Sequence, residues 1–144
     1  MGIVQRGFAV ILSVAVFMLF VTELYREQEN LWKQRWESMQ SSCFLYEICR
    51  DGYCTYEEYC VYRNSLNILD GRTEVRIREY QWEHSVSGET YRYLITWEEI
   101  RNSILEQGGY SFRKGSMAEL YVINEEKRGG YSQRYIHMVS GEGQ

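Results

Sequence analysis

From Phe8 to Val21 the chain is apolar and uncharged apart from Ser13, and the polar pair Thr22 and Glu23 marks the edge of that run. By itself the run falls short of the ~20 residues that cross a ~30 Å hydrocarbon core. Helical continuation through Leu24 and Tyr25 brings it to about eighteen residues, or ~27 Å, which spans with snorkelling of the flanks and slight bilayer thinning. Residues 8–25 therefore predict a transmembrane helix behind a short cytoplasmic leader, 1–7. Leu24, Leu31, Trp32, Trp36, Met39 and Cys43 then recur at helical spacing, while Arg26, Glu27, Glu29, Lys33, Gln34 and Glu37 occupy other faces. No Gly or Pro interrupts the chain from Phe8 to Ser42, so 26–42 predict an amphipathic extension and the whole a single helix of about 35 residues, ~52 Å long. On this pattern Leu31, Trp32, Trp36 and Met39 join the stalk to a C-terminal head.

After Gly71 the period changes. Thr73 to Trp82 reads as a strand with Val75 and Ile77 opposed to Glu74, Arg76 and Arg78; Ser87-Gly88 supplies a turn, and Thr90 to Ile95 returns as a second strand. Thr96 and Glu99 fit a capping box that opens a short helix, whose apolar face is Ile100, Ile104 and Leu105 and whose stop is Gly108-Gly109. Two further strands are expected at Met117 to Asn124 and Tyr131 to Val139, joined across Gly129-Gly130, with a short edge at Tyr110 to Arg113. The predicted fold class is α+β: a long N-terminal helix, a cysteine-bridged connecting segment over 43–71, an antiparallel sheet head of four or five strands with one short helix over 72–139, and a loose tail over 140–144.

Cys43, Cys49, Cys54 and Cys60 are separated by five, four and five residues, a poor match to zinc-site spacing. They lie symmetrically about Asp51-Gly52, a strong two-residue hairpin turn in whose register Cys49 faces Cys54 and Cys43 faces Cys60. Helical flanks preserve the same nesting, because Thr55 with Glu58 can cap a helix running toward Leu69 and ending at Asp70-Gly71. Both versions predict bridges Cys43–Cys60 and Cys49–Cys54, as suits an exported chain. A redox pair lacks the Cys-x-x-Cys spacing.

Composition changes this picture little. A net charge of −4, with scattered Lys and Arg, argues against a nucleic-acid partner. The 13 Tyr and 4 Trp suit a β-rich core, a subunit interface or a membrane boundary, of which the core is the plainest reading. No catalytic residues stand out. The chain has no Gly-x-Ser-x-Gly, P-loop, His-Glu-x-x-His, Gly-x-Gly-x-x-Gly or calcium-loop pattern, and the adjacent pairs Glu57-Glu58 and Glu125-Glu126 are poor catalytic dyads. His84 and His137 read as strand or turn residues without a role. Neither a metal nor another cofactor is expected, and the chain is not read as an enzyme.

Arg6 before the apolar run, and Glu23, Glu27 and Glu29 after it alongside Arg26, place the amino terminus in the cytoplasm and the remainder outside. Met18 to Tyr25 offers no small-residue cleavage site for a secretory signal. With Gln5-Arg6-Gly7-Phe8 opening a hydrophobic helix that continues as an amphipathic one, residues 1–42 resemble a type IV pilin or pseudopilin. The resemblance implies cutting between Gly7 and Phe8 by a prepilin peptidase, lateral packing of the anchor in lipid, and an α/β head. It departs at the fifth position of the mature chain, where the family usually has Glu and this chain has Leu12; that favours a minor or tip subunit of a type IV-like pilus, competence or secretion filament. Tight-adherence pseudopilins are a close variant. The expected partners are membrane lipid and other pilin-like subunits or an envelope complex. The alternative function is an unprocessed signal-anchored extracytoplasmic binding module or accessory subunit.

Overall fold

The computed structural model describes residues 2–70, 73–124 and 131–141, with the side chains of all but Leu69, Asp70, Tyr91 and Tyr131. The elements in order are α1 (Ile3–Asp51), β1 (Tyr53–Thr55), α2 (Tyr56–Asp70), β2 (Thr73–His84), β3 (Thr90–Ile95), α3 (Trp97–Gln107), β4 (Gly109–Ser111), β5 (Met117–Asn124) and β6 (Tyr131–Met138). The fold is α+β, with a long apolar N-terminal helix and antiparallel sheets. Two compact units divide the chain, Met1–Trp36 and Glu37–Gln144.

The first unit is helical. An 18-residue window of α1 has a mean hydropathy of 2.3 and none of it is buried, so this helix is long and apolar enough to cross a membrane by length and composition. Along its apolar part the Ser13 and Thr22 hydroxyls need no outside partner: Ser13 Oγ donates to the Ala9 carbonyl at 2.9 Å and Thr22 Oγ1 to that of Met18 at 2.7 Å. Such back-bonding is how a hydroxyl is satisfied where water is absent. Beyond the apolar run, Glu23 with Arg26 and Glu29 with Lys33 form pairs three and four residues apart on the helix surface.

The second unit is the head. Helix α1 does not end near Ser42 as expected but continues through Asp51, where Gly52 turns the chain at a φ of 71°. The Cys43 to Leu69 stretch is therefore the helical version of the two readings, with only the three residues of β1 extended. Thr55 and Glu58 make the anticipated capping box: the Thr55 amide and hydroxyl both donate to Glu58 Oε2 at 2.8 Å, and the Glu58 amide donates to Thr55 Oγ1 at 3.1 Å. Helix α3 opens in the same way on Thr96 and Glu99 and stops at Gly108, whose φ is 81°. Its inner residues are Ile100 and Ile104, whereas Leu105 is exposed.

Strands β2, β3, β5 and β6 form one antiparallel sheet in the order β3-β2-β5-β6, with Glu79 opposite both Ile95 and Ala118, and Leu120 opposite Tyr135. The anticipated edge at Tyr110 to Arg113 is instead Gly109–Ser111, which pairs with β1 in a separate two-stranded ribbon. Gly109 is required there, since a Cβ would lie 2.2 Å from the Tyr53 hydroxyl. The turn expected at Gly129-Gly130 and the pair Glu125-Glu126 lie outside the described residues. Ser140 and Gly141, expected in a loose tail, donate their amides to the Cys49 carbonyl at 3.0 and 3.3 Å, pinning the end of β6 to α1.

Alternation along β2 sends Val75 and Ile77 inward, and β5 sends Ala118, Leu120 and Val122 to the same face; these five are 2 % exposed or less. They share a core with Phe44, Leu45 and Ile48 of α1, Leu66 of α2, and Ile100 and Ile104 of α3. Burying these side chains stabilises the head by roughly 1.5–3 kcal/mol each before entropy is counted. Within the head, the packed face of α1 is Glu37, Ser41, Phe44, Leu45, Ile48 and Cys49, a run at spacings of four, three, one, three and one. Met39 is 52 % exposed, Leu31 and Trp32 are 55 % and 61 % exposed, and Glu37, whose charge suggests a solvated position, is buried. Within the head unit apolarity favours Met39, but the core selects the face carrying Phe44 and Ile48, and Ser41 lies on it because its hydroxyl meets that of Tyr62 at 2.7 Å.

Candidate functional site

Two features of the head draw on charged residues: a carboxylate inside the core, and the sheet face that the helices leave open. In β2 the inward series Thr73, Val75, Ile77 ends on Glu79, which is fully buried. A carboxylate taken out of water needs its lone pairs filled. Glu79 Oε1 accepts from the Arg113 amide at 2.7 Å and Ser116 Oγ at 2.5 Å, and Oε2 accepts from the Tyr110 hydroxyl at 2.5 Å and Gln81 Nε2 at 3.2 Å. Four donors from three chain segments converge on this one group. Burial, then the bond to Glu79, pushes the Tyr110 phenol well above its ordinary range. With four donors engaging its lone pairs, the chemistry of this carboxylate is structural: it ties the β4–β5 connection to the sheet.

On the opposite face, residues directly across from one another share a side. Arg76 stands opposite Tyr121 and Tyr121 opposite Arg134; Arg78 faces Glu119, which faces Ile136; Tyr80 faces both Leu94 and Met117, and Trp82 faces Arg92. Aromatic rings alternate with guanidinium groups. Arg92 lies 4.3 Å over the Tyr80 ring, Arg78 5.0 Å over Tyr121, and Arg134 6.0 Å over Tyr121. Glu119 is fully buried on this nominally open face, covered by Arg134, which donates to its Oε1, and by the Tyr80 hydroxyl, which donates to Oε2 at 2.9 Å. Burial and that bond raise the Tyr80 phenol. At the rim Trp82, Leu94, Ile136 and Met138 are 46 %, 39 %, 47 % and 62 % exposed. Tyr, Trp and Arg around an apolar patch are the residues enriched in protein interfaces.

Of the residues expected at a site, Gly7 and Phe8 lie within α1; Phe8 is 69 % exposed, and the helix passes through the junction from Ile3 without a break. Trp32 and Trp36 stack with ring centroids 5.8 Å apart. All four cysteines are free thiols, so the nested bridges Cys43–Cys60 and Cys49–Cys54 are not formed in this structure. The hairpin register that set Cys49 against Cys54 does not exist here: Cys49 closes a helix and points at the His137 carbonyl, 3.9 Å away, while Cys54 lies in β1 and points at that of Thr55, 3.7 Å away. Both are fully buried, and burial pushes each thiol up to about 12. Cys43 is exposed and Cys60 half-buried. His84 bonds Thr90 at 2.9 Å, and His137 lies edge-on to the Tyr46 ring at 5.6 Å. Among the described residues no group of three or more His, Cys, Asp or Glu is placed to hold a metal ion.

Periodicity and motif did not single out Glu79, Glu119 or the open face as a unit. A signal for Glu79 exists, since it continues the inward parity of Val75 and Ile77; which arginines share a face with which tyrosines depends on strand register. Comparison of the chain with protein-family models, with curated proteins and with solved structures returns no match.

Proposed function

We propose that the chain is a membrane-anchored minor pilin or pseudopilin, an assembly subunit of a type IV-like filament or secretion apparatus, with its amino terminus in the cytoplasm and its head outside. The observation that supports this reading is a single helix, Ile3–Asp51, whose apolar beginning is long enough to cross a membrane and whose last turns form part of the core of an α+β head. The leader-like Gln5-Arg6-Gly7-Phe8 supplies the processing junction. Leu12, at the position where the family usually has a carboxylate, leaves the run from Phe8 to Val21 without a charge and argues for a minor or tip role.

Co-expression with a prepilin peptidase and intact-mass analysis of the membrane fraction tests it. The expected product starts at Phe8, and Gly7→Leu blocks its formation. Retention of Met1 to Gly7 in the presence of an active peptidase overturns the filament reading and leaves the signal-anchored binding module.

A further inference from the structure

We propose that the head carries two complementary docking surfaces for copies of itself: the arginine-rich open face of the sheet on one copy receives the acidic cleft between α1 and α2 of the next. The cleft is lined by Phe44 and Glu47 of α1 and by Glu57, Glu58, Val61 and Tyr62 of α2, with no basic residue along it among the described residues. Its floor is apolar, because Phe44 and Tyr62 stack with centroids 4.1 Å apart, and Val61 beside them is 64 % exposed. Three carboxylates therefore edge an apolar groove.

The open sheet face is its counterpart in charge and polarity. Arg78 and Arg92 make no ion pair among the described residues, and the rings of Tyr121 and Tyr80 hold their guanidinium groups in place, so less side-chain entropy is lost on docking. Leu94, Ile136 and Met138 add exposed apolar area. On a chain of net charge −4, a cationic patch of this kind stands apart from the rest of the surface. Apolar area supplies affinity, and opposed charge selects the partner and its register.

The placement of the two surfaces names the occupant. The cleft lies in the helical layer, whereas the arginines lie on the sheet face turned away from the helices' core. One copy cannot close the pair within itself. Two copies joined in this way leave one cleft and one sheet face unsatisfied, so the contact is heterologous and repeats head to tail. This inference rests on the reading of the chain as an assembly subunit and names the surfaces by which it assembles.

The test uses the full-length chain in neutral detergent, with self-association measured by sedimentation equilibrium. The wild type is expected to associate, and to do so more weakly as salt rises from about 50 to 500 mM. Arg78→Glu with Arg92→Glu in one chain, and Glu47→Lys with Glu57→Lys in another, should each weaken association about tenfold or more when alone. Mixed together they should recover it, because every contact in an alternating array again pairs opposite charges. Recovery also shows that both variants fold. A monomeric wild type, variants that associate like the wild type, or a mixture that fails to recover overturns the proposal. Leader processing is read separately, so an uncut leader with intact charge-swap recovery counts against the filament reading alone.

Discussion

The Tyr110 hydroxyl donates to Glu79 Oε2 at 2.5 Å, tying the ribbon strand β4 to the central strand β2 of the four-stranded sheet. The Ser116 hydroxyl and the Arg113 amide reach the other oxygen of the same carboxylate. Removing it orphans donors in the interior, and an orphaned buried donor costs about 1–3 kcal/mol. Glu79→Ala is expected to destabilise the head by about 3–5 kcal/mol. Glu79→Gln, which keeps one acceptor oxygen but turns an amide toward another donor, should cost about half as much. Tyr110→Phe removes one donor and leaves three, so it should cost about 1 kcal/mol. Denaturant unfolding of the full-length chain in detergent, followed by near-UV circular dichroism, gives all three values.

The face of α1 that enters the head can be checked by truncation. Ile48 is 2 % exposed, and Ile48→Ala should cost about 2–5 kcal/mol as a large-to-small change in the core. Met39→Ala, at 52 % exposure on another face, should change stability by no more than about 0.5 kcal/mol. The reverse order would make the side of α1 that carries Met39, rather than the one that carries Ile48, the packed side within the head.

Thiol chemistry separates the cysteines. In the native chain Cys43 should react with a maleimide first, Cys60 more slowly, and Cys49 and Cys54 only after unfolding, because both are buried and held protonated. Denatured without reductant, the chain should titrate as four thiols; mass spectrometry that finds Cys49 linked to Cys54 contradicts this. The same burial gives stability a pH dependence. Each buried thiol ionises near 9.0 when unfolded and near about 12 when folded, so its contribution is fully present below pH 9 and is lost as pH rises from 9 to 12. The phenols of Tyr62, which is buried, and Tyr110, which is half-buried, both raised by burial first, act in the same direction from about pH 10 upward. Unfolding free energy followed from about pH 8 to 11 should fall ever more steeply, and Cys54→Ala should flatten the curve between about 9 and 11.

Local signals in this sequence are strong where a short stretch completes its own structure. Thr55 and Glu58, Thr96 and Glu99, and Gly108 each carry the groups that start or stop a helix: α2 begins after Thr55, and α3 begins after Thr96 and ends before Gly108. The strands Thr90–Ile95 and Met117–Asn124 begin and end at the residues where the sequence pattern places them. The Asp51-Gly52 turn is legible too, but a turn does not say what it joins. Cys43 to Asp51 carries no breaker, so the helix runs on and removes the cross-strand register on which the hairpin pairing depends.

By itself the chain determined that it begins with an apolar helix, where its helices are capped and which segments alternate, because propensity, capping and periodicity act over a few residues. Tertiary structure decided the rest. Only packing into the core of the head chose Glu37, Ser41, Phe44 and Ile48 over Met39 as the buried side of α1 within the head. Only strand register placed Arg78, Arg92 and Arg134 beside Tyr80 and Tyr121, and only the path of β4 and the β4–β5 connection beside β2 gathered four donors around Glu79. These choices turn on contacts between residues tens of positions apart, and such contacts exist only once the sheet has formed.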